Sequence, residues 1–210
     1  MQSSVALLSL VISGSLVTAA CGSSKDAAPP TVPIDAAAVN ALVPAAFKDK
    51  VVFEQREVEE ERGRRSKTVY TLAAPKSWQP GEMKMFAKLA PPSEDGFGNR
   101  TGLSLGSNCD GACEAKDWAK VSEKVNFSQF RTGYKIVKDE VGKASHLMVA
   151  EDDDSLHITY AWWAAGATSY HTCSVTLARS FMNSDGPDPR TAAPAFEKAC
   201  QAVTVRTTDK

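Results

Sequence analysis

The sequence predicts an α+β fold, with an antiparallel sheet flanked by two main helices in a single domain that follows a signal peptide and a flexible linker. Short segments with alternating apolar residues follow one another in the second half of the chain, which is typical of antiparallel strands. Only two longer segments have helical spacing, so helices and strands do not alternate one for one. Residues 46–207 are enough for one domain with its own core.

The first element is an export segment. Residues 5–20 contain no Lys, Arg, Asp or Glu. This segment is shorter than the roughly 20 apolar residues that cross a bilayer as a helix, and its last residues are small, as at a cleavage site. We therefore predict that residues 1–20 are removed as a signal peptide.

Residues 16–21, Leu-Val-Thr-Ala-Ala-Cys, resemble the lipobox of bacterial lipoproteins, although Thr18 stands where that family usually has Leu. The resemblance implies that Cys21 carries acyl chains such as palmitate and becomes the new N-terminus. Gly22, where Asp would mark inner-membrane retention, implies the outer membrane, with the domain facing the periplasm or the cell surface. The same small residues would also suit the ordinary signal peptidase, which would leave Cys21 unmodified.

Residues 21–45 are predicted to be a lipidated Cys followed by a linker rich in Ala and Pro. Pro29, Pro30 and Pro33 prevent a continuous helix, although residues 36–42 have the composition of a short one. The domain is placed at residues 46–207, and residues 208–210 form a tail.

Residues 51–72 predict a charged hairpin, because a run of Glu is followed by a run of Arg and Lys. A two-residue turn would place Glu61 opposite Arg64 and Phe53 opposite Leu72, so that opposite charges pair across the strands. A charged helix and an acidic face for a partner are the alternatives for the acidic run.

The remaining elements follow from apolar periodicity. The predicted strands are residues 83–89, 101–105, 134–139, 145–150, 156–163, 170–178 and 203–205. The predicted helices are residues 111–125, with Asp110 as the N-cap, and the segment from Pro194 that ends near Cys200. The acidic residues 151–154 form a hairpin turn between two strands.

This order of elements resembles the PsbP-type fold. The likeness is carried by residues 70–78, Tyr-Thr-Leu-Ala-Ala-Pro-Lys-Ser-Trp, by the strand over residues 170–177, and by the closing helix at residues 194–197, Pro-Ala-Phe-Glu. The resemblance spans residues 50–207 and implies a binding or assembly module. It supplies no catalytic residues.

The chain has five Cys, and assigning Cys21 to the lipid leaves an even set for an oxidising compartment. Three connectivities are possible. Cys173 lies on the apolar face of a predicted strand and Cys200 on the apolar face of the last helix, which favours a disulfide between them and a second between Cys109 and Cys113. A redox or metal site is the alternative for Cys109 and Cys113.

Two residues are candidates for ligand binding. Alternation places Trp163 and His157 on the same face of one strand, and an exposed Trp163 would anchor a ligand or partner, unless a helix covers that face. His146 and His171 lie on other strands, and no His spacing supports a metal site, so no metal and no cofactor are predicted.

No motif for a nucleophile, a metal-dependent hydrolase or a phosphate loop is present, so we do not predict an enzyme. The formal net charge of −1 gives no argument for nucleic acid as a partner. We predict a cell-envelope lipoprotein with a non-catalytic binding or assembly domain, whose partners are the membrane, through its anchor, and another envelope protein or a small ligand. The alternative is an envelope enzyme or thiol-redox protein that uses Cys109 and Cys113.

Overall fold

The computed structural model describes residues 33–62, 66–81, 87–92, 100–108, 117–124, 133–163, 169–179 and 186–209. Residues Thr31–Lys210 form one compact unit. Within the described ranges, no helix has both the length and the apolar character needed to cross a membrane.

The helices are α1 (Ala36–Asn40), α2 (Trp118–Lys124) and α3 (Ala193–Gln201), with 3-10 turns at Ala45–Phe47 and Pro189–Ala192. The strands are β1 (Phe53–Arg62), β2 (Ser66–Pro75), β3 (Gln79–Pro80), β4 (Ala87–Ala90), β5 (Gly102–Asn108), β6 (Lys135–Val141), β7 (Ser145–Glu151), β8 (Ser155–Trp162), β9 (Tyr170–Ala178) and β10 (Thr204–Asp209).

The strands form two sheets. One has the order β1-β2-β10, and the other has the order β3-β4-β5-β9-β8-β7-β6. Every described pair of neighbouring strands is antiparallel. The predicted α+β class with antiparallel strand pairing is therefore confirmed, whereas the described strands form two sheets instead of the predicted one. β9 covers the predicted residues 170–178.

The hairpin predicted for residues 51–72 forms, but its predicted register is wrong, and the charged helix considered for this segment does not form. Glu61 lies opposite Lys67, three positions beyond the predicted partner, because β1 continues to Arg62 and β2 begins at Ser66. The observed register places Val58 opposite Tyr70, and both pack on the core. Matching of apolar faces decides the register, rather than pairing of charges beside the turn.

The acidic residues of β1 pair with basic residues across the sheet. Lys67 Nζ lies 2.6 Å from Glu59 Oε1, and Arg206 of β10 lies 2.8 Å from Glu57 Oε2. These pairs are partly exposed, so each contributes at most about 1 kcal/mol.

The inner face of the seven-stranded sheet packs on the main core together with β1, β2, α1 and α3. Alternation along β7 directs Leu147 and Val149 to this face. Phe196 of α3 is fully buried, with its ring centroid 5.1 Å from that of Phe53 and 5.2 Å from that of Trp78. The amphipathic helix predicted near the C-terminus therefore closes this core.

The predicted disulfide between Cys173 and Cys200 is present and joins β9 to α3. Both residues are completely buried and are 27 positions apart in sequence. A loop of this length predicts a contribution of about 2–4 kcal/mol to stability. Cys21, Cys109 and Cys113 lie outside the described residues, as does the predicted N-cap Asp110.

The outer face of the seven-stranded sheet is the side opposite the main core. Part of it is covered by α2, whose Trp118 and Val121 are buried against Met148 and Ala150 of β7. Asp117 caps this helix, because its Oδ1 accepts a hydrogen bond from the Lys120 N–H at 3.0 Å.

The packed region extends upstream of the boundary predicted at residue 46. Val39 and Val43 are buried in the main core, and Asn40 accepts a hydrogen bond from the Phe53 N–H and donates one to the Phe53 carbonyl. Asp35 caps α1 through a bond from the Ala38 N–H. This short helix packs against β1 and α3, with Val39 buried on the helix and Val43 buried just beyond its end.

Candidate functional site

The outer face carries small polar side chains where α2 does not cover it. His157 of β8 lies opposite Thr176 of β9, and Thr159 lies opposite Ser174. Opposite residues in an antiparallel pair project to the same face, so these four side chains form one polar patch. On the other side of the same strands, Leu156, Ile158, Cys173, Val175 and Leu177 belong to the main core.

A cavity of about 210 Å³ lies over this patch. We call it the outer-face pocket, and its lining residues are Tyr134, His157, Ile158, Thr159, Ser174, Val175 and Thr176. The Tyr134 ring meets the His157 ring edge to face, with the centroids 5.2 Å apart and the planes at 84°. The pocket therefore combines a phenol ring, an imidazole and three aliphatic hydroxyl groups.

Hydrogen bonds hold His157 at both ring nitrogens. Nε2 lies 3.3 Å from Ser155 Oγ, and Nδ1 lies 3.2 Å from Thr176 Oγ1. The Ser155 hydroxyl donates to Asp152 Oδ1 at 2.9 Å. Because a hydroxyl has one hydrogen, Ser155 accepts from Nε2–H, which leaves Nδ1 to accept from Thr176.

The charge states of His157 and Asp152 fix the direction of the hydrogen bonds that run from Thr176 through His157 and Ser155 to Asp152. Burial lowers the pKa of His157; the Asp152 carboxylate raises it and Arg100 lowers it further. Burial opposes ionisation of Asp152, but hydrogen bonds from the Ser155 side chain and from the Ser155 and Asp154 N–H groups hold its pKa below the ordinary value. At neutral pH the imidazole is therefore neutral and the carboxylate is charged.

A larger depression of about 730 Å³ lies near the acidic turn and is lined mainly by charged residues. Its charges pair with one another: Lys135 lies 2.8 Å from Glu151, and Arg190 lies 2.7 Å from Asp188. Burial raises the pKa of Asp188, but hydrogen bonds from Arg190 and Arg179 outweigh it and hold that pKa well below its ordinary value. Asp188 and its two Arg partners stabilise the turn before α3, and Lys135 and Glu151 join β6 to β7. Because these charges already serve the fold, we take the smaller pocket as the better candidate for a ligand.

The structure separates the two predicted ligand-binding residues. His157 lines the outer-face pocket, whereas Trp163 is only 6% exposed and packs with Trp118 under α2. The alternative that a helix covers this face of the strand therefore holds for Trp163. Trp162 lies on the inner face, where its ring stacks on Tyr160.

The other two His are in different environments. His146 is buried, and its Nε2 lies 2.6 Å from Asp139 Oδ1. His171 lies on the inner face, where its Nδ1 is 3.5 Å from the Tyr70 hydroxyl. Within the described part of the chain, no three His, Cys, Asp or Glu side chains are placed to hold a metal ion.

Sequence reasoning named His157 but missed its partners. Thr176 and Ser174 come from β9, 19 and 15 positions from the residues they contact on β8. One signal was available: in residues 170–178, the positions between the apolar ones hold Thr172, Ser174 and Thr176, a row of hydroxyl side chains on one face.

No family model matches the chain, and no curated protein matches it. Among solved structures, the chain is similar to the Saccharomyces cerevisiae Ran-binding protein Mog1p, with 9% identity over 72% of this chain and 95% of that one, and a TM-score of 0.46. It is also similar to a point mutant of the protein Mog1, with 10% identity, the same coverage of the two chains and a TM-score of 0.46.

Proposed function

We propose that the chain is an outer-membrane lipoprotein whose domain binds a small polar ligand in the outer-face pocket. The observation that carries the proposal is the pocket itself, in which a neutral imidazole is fixed by hydroxyl groups beside further hydroxyls and a Tyr ring. Ligand sites in proteins typically combine such a concave surface with a few fixed polar groups.

The hydrogen bonds of His157 favour binding over catalysis. A catalytic His usually has a carboxylate or carbonyl that orients one nitrogen while the other exchanges a proton with the reacting group. Here both nitrogens face hydroxyl groups, and the nearest carboxylate in the chain of hydrogen bonds, Asp152, is separated from the ring by Ser155. This arrangement fixes the imidazole as part of the pocket wall.

The wider architecture is part of the proposal. We propose a PsbP-like arrangement in which two main helices flank the seven-stranded sheet, and the support is that α2 packs on the outer face and α3 on the inner face. The lipobox-like residues 16–21 support attachment through Cys21, and the acyl chains make the membrane one partner. The small ligand is the other.

A thermal-unfolding screen of the purified full-length protein tests the binding proposal. The panel contains neutral sugars, amino acids, carboxylates, phosphates and polyamines. A ligand at one hundred times its Kd adds about 2.7 kcal/mol to the free energy of unfolding. We expect at least one compound class to raise the Tm of the wild-type protein.

The Ser174→Leu variant fills the pocket and removes one hydroxyl, so it should lose this response. Thr172→Leu is the matched control, because Thr172 lies on the same strand and the same face but outside the pocket. It should respond as the wild type does. A panel that stabilises no protein, or that stabilises Ser174→Leu equally, contradicts the proposal.

A further inference from the structure

We infer that the outer-face pocket takes a neutral polyhydroxylated molecule of about the size of one sugar ring, and that Thr176 Oγ1 accepts a hydrogen bond from it. This inference rests on the proposed function, and it specifies the ligand class.

The direction of the hydrogen bonds makes Thr176 an acceptor. The Thr176 hydroxyl donates its single hydrogen to His157 Nδ1. The Nε2–H group of the same ring donates to Ser155, which in turn donates to the Asp152 carboxylate. The lone pairs of Thr176 Oγ1 then remain available to accept. A chain of bonds that ends on an anion also polarises each member, which strengthens the arrangement.

The neighbouring hydroxyls supply a donor. Thr159 Oγ1 and Ser174 Oγ lie 3.4 Å apart, so one hydrogen bond uses the hydrogen of only one of them. The hydrogen of the other can be given to a ligand. The pocket therefore offers a hydrogen-bond acceptor and a hydrogen-bond donor within one patch. An alcohol matches this pair, because its hydroxyl group both donates and accepts.

The described lining disfavours a charged ligand. Among the lining residues that the structure describes, none is Asp, Glu, Lys or Arg, and His157 is neutral at pH 7. The charged groups that act on His157, Asp152 and Arg100, lie outside the lining and have opposite signs. An ion would lose its hydration in the pocket without meeting a counter-charge, which is costly.

The size of the pocket suits a ligand of one ring. A volume of about 210 Å³ is smaller than the roughly 300–1,000 Å³ of sites for drug-sized ligands. Tyr134 adds an aromatic surface against which the C–H groups of a sugar ring can pack.

Isothermal titration calorimetry of the detergent-solubilised full-length protein tests the inference. The probes are D-glucose and N-acetyl-D-glucosamine, with D-glucuronate and protonated D-glucosamine as charged molecules of similar ring size. At pH 7 we expect a neutral sugar to bind, and both charged molecules to bind at least about tenfold more weakly.

Thr176→Val keeps the shape of the side chain but removes the acceptor, and we expect it to weaken binding of the neutral sugar by about tenfold. Thr172→Val should bind as the wild type does. Nitrogen chemical shifts of His157 should show the proton on Nε2.

Three results would overturn the inference: charged probes that bind as well as neutral ones, wild-type affinity in Thr176→Val, or a proton on Nδ1 at pH 7. If amino acids or phosphates stabilise the protein and the Ser174→Leu variant loses that response, the proposed function stands and only the ligand class is wrong. If no compound in the panel acts, the proposed function fails as well.

Discussion

At the scale of single residues, His157 links the pocket to the stability of the domain. Its pKa is lowered in the folded protein, so the unfolded chain, with an ordinary His pKa of about 6.5, binds a proton more readily. As the pH falls below about 6.5 toward the folded pKa, this difference reduces the free energy of unfolding. Well above pH 7 the group is neutral in both states and the contribution is constant.

We predict that His157→Gln removes this part of the pH dependence. Urea unfolding of wild type and variant at several pH values between 5 and 8 provides the measurement. The difference in free energy of unfolding between the two proteins should be constant above pH 7 and should change in favour of the variant as the pH falls. If the free energies of unfolding of the two proteins differ by the same amount at every pH between 5 and 8, burial of His157 does not govern its protonation.

At the scale of elements, α1 is the part of the fold that composition alone assigned to the linker. Val39 of α1 and Val43, three residues beyond its end, are 1% and 4% exposed, and burying a Val side chain contributes about 1.5–3 kcal/mol. Asn40 adds two hydrogen bonds to the Phe53 backbone. A segment rich in Ala and Pro therefore carries a structural element, which is fixed by two buried Val side chains.

We predict that a chain beginning at Ala46 is less stable than one beginning at Thr31 by about 3–6 kcal/mol, because it loses both buried Val side chains. Chemical denaturation of the two chains measures the difference. The Asn40→Ala variant of the longer chain should lie between them. Equal denaturation midpoints for the two chains would show that α1 adds nothing to the domain.

The strands were predictable because a half-buried strand carries a period of two in its own sequence. Residues 145–150, 156–163 and 170–178 were identified from this pattern alone, within about one residue of the observed bounds. The register of β1 and β2 was not predictable in this way. Local charges suggested one pairing of the strands, whereas packing on the core, which involves residues distant in sequence, favours another pairing. Thr176, the cross-strand partner of His157, was missed for the same reason, because cross-strand neighbours are set by register and not by spacing along the chain.

At the scale of the whole molecule, the membrane attachment that we propose depends on Cys21, which lies outside the described residues. One acyl chain gives marginal membrane binding, and stable attachment needs more than one, at about 0.8 kcal/mol per buried methylene. We predict that Cys21→Ser moves the protein from the membrane fraction to the soluble fraction of the envelope. Cys109→Ser is the control and should remain in the membrane. Retention of Cys21→Ser with the membrane would show that Cys21 is not the anchor.

The disulfide has a consequence for when the pocket acquires its shape. Cys173 and Ser174 are adjacent on β9 and point to opposite faces, so the covalent bond to α3 restrains the backbone directly beneath the pocket. A chain in a reducing compartment lacks this restraint, so it loses more conformational entropy when the pocket becomes ordered around a ligand. Under the export that we propose, the affinity would reach its full value only after oxidation makes the binding surface rigid, in the compartment where disulfides persist.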